Sequence, residues 1–181
     1  MRSVLFIALV AFALADLPAA PESFRLVYKT KPMDGGSTRI ISVLRDSEQQ
    51  IQLKTDVFNF ASTLINVLSA TTVDRYGGKC NQYQSFAPLV LQPLYTVKPD
   101  AVVQNSTCTS LDGSITQVSC YDGTFWGTSS WARVCFDQRT SDARLACATV
   151  GNPGPGSPDV ITIVSLNAEK PEAGEFLQTC Y

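Results

Sequence analysis

The chain has 181 residues, with 14 basic and 16 acidic side chains, a formal net charge of −2, 45% hydrophobic residues and no histidine. That length suits one domain with a full core, and the scattered basic residues argue against nucleic acid or a polybasic membrane contact. Lack of histidine removes the Ser-His-Asp and Cys-His nucleophile systems and most zinc and copper sites.

Residues 1–15 read as a secretory signal peptide: Arg2, an apolar run from Val4 to Ala15, and the small-x-small ending Ala13-Leu14-Ala15. The run is shorter than the about 20 apolar residues that span a bilayer, and no later segment is longer. Residues 16–181 are then expected to form a single secreted β domain, opening on a loose proline-rich lead-in. Phe24, Leu26 and Tyr28 alternate with Arg25 and Lys29, which predicts a strand. A second follows the turn signal "MDGG" as "STRIISVLRD", and a third has Ile51, Leu53 and Thr55 alternating with Gln50, Gln52 and Lys54. The three make an antiparallel meander with one polar face.

In "DVFNFASTLINVLSATTV", Ala61, Leu64, Ile65 and Leu68 fit a helical stripe with Asp56 as N-cap, while Thr71, Thr72 and Val73 favour strand. The segment is expected to be a short helix or helical turn feeding a strand. Prolines 88, 93 and 99 confine the next stretch to an edge strand or extended loop. Short strands then recur over 102–109, 114–121, 130–138 and 143–150, and after a Pro-Gly loop "VITIVSL" is the last. This pattern predicts an all-β fold, an antiparallel sandwich or half-barrel of short strands with at most one or two short helices. No internal repeat is evident.

Cys80, Cys108, Cys120, Cys135, Cys147 and Cys180 form an even set without a CxxC pair, so disulfides are the expected state in an oxidising compartment. Folding the chain about Ser141 sets Cys135 opposite Cys147, within bonding reach of a cross-strand pair, so these two are expected to bond. Cys108 and Cys120 flank Asp112-Gly113, but a two-residue turn there leaves them out of step; they pair across a longer loop or take other partners. If they pair, Cys80 is left with Cys180. Asn105-Ser106-Thr107 is a glycosylation sequon. Phe125, Trp126 and Trp131 either fill a β core or form an exposed aromatic binding loop. Asp34, Asp112 and Asp122 each precede glycine, which is turn chemistry first, although two converging carboxylates would permit glycoside hydrolysis.

The strand "TRIISVLRD", the later "YGGKC", the "FW" among small residues, the "VCFD" strand and the terminal "FLQTC" together resemble the ependymin-related proteins. That resemblance implies two curved antiparallel sheets, similar to bacterial lipoprotein carriers, around an apolar pocket for a lipid-like ligand. Leu26, Tyr28, Ile41, Val43, Ile51 and Leu53 would line the pocket, with Trp126 or Trp131 at its rim, unless they form a solid core. The expected function is non-catalytic binding of a hydrophobic small molecule or lipid, with no cofactor, no metal, no nucleic acid and no membrane span. The alternative is an extracellular carbohydrate- or protein-interaction module using the aromatic loop, and a third reading is a histidine-free hydrolase.

Overall fold

A computed structural model describes residues 19–85, 89–110, 112–126, 131–139, 144–151 and 158–176. The expected signal peptide, the turn at 140–143, the Pro-Gly loop at 152–157 and Cys180 lie outside the described residues. The fold is all-β, as the alternation predicts: 12 antiparallel strands in one open sheet, ordered β6-β5-β4-β3-β2-β1-β12-β11-β10-β9-β7, with β8 also on β9. The strands are β1 (Phe24–Pro32), β2 (Arg39–Asp46), β3 (Ile51–Asp56), β4 (Ala61–Asn66), β5 (Thr71–Tyr76), β6 (Lys79–Gln84), β7 (Tyr95–Val97), β8 (Gln104–Thr109), β9 (Ile115–Phe125), β10 (Ala132–Asp137), β11 (Leu145–Val150) and β12 (Asp159–Asn167). One 3-10 turn, Ala173–Phe176, follows.

The segment expected to be helical is instead the β3–β4–β5 hairpins. Asp56 does cap, but it caps a turn: its carboxylate accepts the backbone N–H groups of Phe58 and Asn59. Asp46 does the same for Glu48 and Gln49, and Asn66 for Ser69. Each four-residue turn closes on a left-handed residue, Gln50, Phe60 and Ala70 with φ of 52°, 47° and 51°. Six-residue strands and four-residue turns therefore recur every ten residues, a period the sequence conceals because only the capping Asx and the backbone conformation repeat.

The sheet is rolled. β1 and β9 are separated by three strands, roughly 19 Å across a flat sheet, yet the rings of Tyr28 and Phe125 meet edge to face at 6.0 Å and those of Phe24 and Trp126 at 5.8 Å. Phe24, Leu26, Tyr28, Ile41, Val43, Leu94, Tyr95, Phe125, Val134 and Phe136 belong to the buried cluster on the inner face. Where β9 passes β7, a Cβ on Gly123 would lie 1.9 Å from the Thr96 carbonyl oxygen, so no side chain fits there.

A second cluster sits on the outer face: Cys108, Val118, Cys120 and Cys135, with Ala146 and Cys147 against it. Cys135 does lie opposite Cys147 in the β10–β11 ladder, but it also lies opposite Cys120 in the β9–β10 ladder. The bonds are Cys120–Cys135, with Cα atoms 4.0 Å apart, and Cys108–Cys147, at 6.1 Å, so neither a Cys135–Cys147 nor a Cys108–Cys120 bond forms. Symmetry about Ser141 describes one edge of β10, whereas a central strand has two. The Cys108–Cys147 link joins β8 to β11 because β9, the ladder partner of β8, also approaches β11. Cys80 is disulfide-bonded, and its expected partner Cys180 lies outside the described residues.

Gly123→Ala forces β7 off the sheet and should cost about 1–3 kcal/mol of stability in a denaturant titration. Peptide mapping after cleavage at Asp112 and Arg139 should recover Cys120 linked to Cys135 and Cys108 linked to Cys147. Burial, assisted at Tyr28 by the negative charges of Asp56 and Asp159, pushes Tyr28 and Tyr95 each up to about 12. Their neutral form is favoured in the folded state, so this stability is complete below the ordinary tyrosine value of about 10 and is lost as pH rises from there through about 12. The loss is about 3 kcal/mol for Tyr28 and smaller for Tyr95, which borders open space. Melting temperature and tyrosinate absorbance, followed together across that window, check it.

Candidate functional site

Four of the residues expected to line a pocket, Leu26, Tyr28, Ile41 and Val43, are packed in the inner core, none more than 7% exposed. Ile51 and Leu53 are on the other face altogether. Cross-strand partners share a face, and the ladder pairs Ile41 with Asp56, Val43 with Lys54, and Leu44 with Leu53. The even-numbered β2–β3 turn sets this phase; a turn one residue longer or shorter would have kept the expected grouping. Leu53 instead joins Leu44, Leu64 and Val73 in an outer-face row. The 3-10 turn lies against β3, and Glu175 pairs with Arg25 on β1.

The open space lies beside the core. A cavity of about 630 Å³ runs between the N-terminal segment and the β11–β12 side of the sheet, lined by Ala19, Pro21, Tyr95, Leu145, Ile163, Val164, Leu166 and Ala168, with Arg144 and Ser165 as its polar members. Leu166 is the ladder partner of Leu26, and Tyr28 pairs with Ile163; a bulge between Val27 and Tyr28 shifts the register here, leaving Val164 unpaired. The apolar run "VITIVSL" marks this strand in the sequence, but nothing in it tells that its end borders space while β1 borders rings.

A second cavity, also about 630 Å³, lies on the far side of Tyr95 and of residues 20–22, where Arg45, Ser47, Glu48 and Gln50 of the β2–β3 corner face Leu91 and Pro93. Arg45 is on the inner face, as the ladder partner of Phe24. Its guanidinium donates to the carbonyls of Leu91 and Gln92 and lies 5.8 Å from the Phe24 ring centre. Burial lowers its pKa, partly offset by Glu22. The adjacent Asp46 is fully buried on the opposite face, with Lys170 at 3.6 Å.

Trp126 packs half-buried against the core and donates its backbone N–H to the Leu94 carbonyl. Trp131 is 41% exposed with Arg133 over its ring, and residues 127–130 between them lie outside the described residues. Among the described residues the most exposed aromatic ring is elsewhere, at Phe60 in the β3–β4 turn, 84% exposed beside Phe58. Asn105 is exposed on β8, its side-chain oxygen accepting from Gln138. Among the three Asp-Gly carboxylates, Asp34 and Asp112 accept backbone N–H groups of their own turns, and Asp122 pairs with Arg133. Asp112 is held below its usual range by Ser114. Sulfur atoms of Cys108, Cys135 and Cys147 lie within 4.8 Å of one another, a closeness that their two disulfides account for. Among the described residues no helix is long and apolar enough to cross a membrane.

No family model matches the chain, and no curated protein does. Among solved structures it is similar to an uncharacterized conserved protein from Thermus thermophilus, at a TM-score of 0.53 and 8% identity, covering 88% of this chain and 86% of that one. At that identity the likeness is one of fold.

Proposed function

We propose that this is a secreted, disulfide-bonded carrier that binds a hydrophobic, lipid-like small molecule without transforming it. The observation that carries the reading is the cavity between residues 19–21 and the β11–β12 side of the sheet. Its volume of about 630 Å³ is that of a small-molecule site, and Leu145, Ile163, Val164 and Leu166 supply an apolar wall. Export is supported by the leader-like residues 1–15 and by the disulfides, which persist in oxidising compartments. The resemblance to ependymin-related proteins points the same way, with the ligand beside β12 rather than within β1–β3.

The alternative, an interaction module for a carbohydrate or a protein, draws on the exposed rings of Trp131, Phe58 and Phe60. Trp126 does not serve it, because that ring is packed on Phe24.

A bulky side chain at the cavity wall separates the two readings. Ala168→Trp should weaken binding of a fluorescent fatty-acid probe by about tenfold or more while leaving the melting temperature near that of the parent. Native mass spectrometry of the unmodified protein should find a co-purifying apolar molecule. If the probe binds neither protein, the carrier reading fails.

A further inference from the structure

We propose that the ligand of this carrier is a single-chain amphiphile with a carboxylate head, and that Arg45 receives the head. This rests on the reading that the cavity beside β12 holds the apolar part. The two cavities share Tyr95 as a wall and lie on either side of the strand of chain at 19–22, Ala19 and Pro21 bordering one and Ala20 and Glu22 the other. One is walled by Leu145, Ile163 and Leu166; the other has Arg45 at its side. A compartment with an apolar wall, its lining also holding Arg144 and Ser165, next to one that holds Arg45 together with Glu22 and Glu48 fits a molecule with a tail and a charged head.

Arg45 is the reason to assign the head's charge. It is only 8% exposed, yet among the described residues the ion pairs include none to Arg45, the negative charge acting on it being that of Glu22, and its Nε is buried with no hydrogen-bond partner. Two of its five N–H groups are used on the Leu91 and Gln92 carbonyls. The Phe24 ring attracts the cation but does not neutralise it. Glu22 acts on Arg45 only from beyond ion-pair distance; a buried guanidinium with no carboxylate in contact is costly, and a carboxylate is the group whose two oxygens match its fork of donors. Glu22 and Glu48 border the same space. They repel a second negative charge, which favours a monoanionic carboxylate over a phosphate monoester.

The test is competition against a fluorescent apolar probe on the full mature protein, at a pH above the acid's pKa, with palmitic acid, 1-hexadecanol and hexadecyl phosphate. The three share one chain and differ in the head. Palmitate should bind about 10-fold or more tighter than hexadecanol and tighter than the phosphate. Arg45→Gln should bring acid and alcohol to within about twofold, and Arg45→Lys should keep part of the preference. Equal binding of acid and alcohol by the parent protein overturns the head assignment and leaves the carrier reading standing. A preference for the phosphate overturns the carboxylate. Binding of none of the three overturns the carrier reading, and this proposal with it. Should Arg45→Gln fail to fold, the acid-to-alcohol ratio on the parent protein and on Arg45→Lys still decides.

Discussion

The ladder between β1 and β12 makes one object of two halves. Eight residue pairs, from Arg25 with Asn167 to Pro32 with Asp159, join the N-terminal meander to the strands that carry Cys120, Cys135 and Cys147. The meander needs that junction, because its inner face is apolar only near it. Phe24, Leu26, Tyr28, Ile41 and Val43 are inward on β1 and β2, but the next strand turns Gln52, Lys54 and Asp56 the same way. The large inner-face side chains of β1 and β2 are therefore covered by Phe125, Val134 and Phe136 from across the roll. Burying each such side chain is worth about 1.5–3 kcal/mol, so rolling is the route by which the sheet hides it.

The disulfides act on the opposite surface. Cys120–Cys135 closes a separation of 15 residues and Cys108–Cys147 one of 39. Taken singly, such loops correspond to about 3 and about 4 kcal/mol in the chain-entropy account. They hold β8 to β11 over the outer face, while the aromatic rings close the inner one. The C-terminal half is thus packed on both faces. Outside the meander, the 3-10 turn that follows β12 rests on β3 and Lys170 reaches Asp46 and Glu48.

Much of this architecture is legible in the sequence, and the failures have specific causes. Alternation located the strands because a half-buried strand writes its two faces into successive residues, as Phe24 to Tyr28 do. It could not place Ile51 and Leu53, because the face a strand presents depends on turn parity, which no residue in the strand encodes. Ala61, Leu64, Ile65 and Leu68 matched a helical spacing by coincidence: β4 and its turn place Leu64 outward, Ile65 inward and Leu68 in solvent. Asx at 46, 56 and 66 was visible throughout, but its meaning required the turn length. The cavity was hidden for another reason. Leu166 and Leu26 are equally apolar ladder partners, but Leu26 has Val43 on its other side whereas β11 pairs with β12 only as far as Thr162, so Leu166 borders a space and Leu26 the middle of a core.

The ten-residue cadence of β3, β4 and β5 has a consequence for how such a molecule can vary over evolutionary time. Losing one unit would reverse the chain's direction for everything downstream. Losing or duplicating two units, twenty residues, restores both direction and sidedness, so every later side chain still points where it did. Breadth on that flank is therefore a quantity that natural variation can adjust in whole hairpins, leaving the compartment beside β12 untouched.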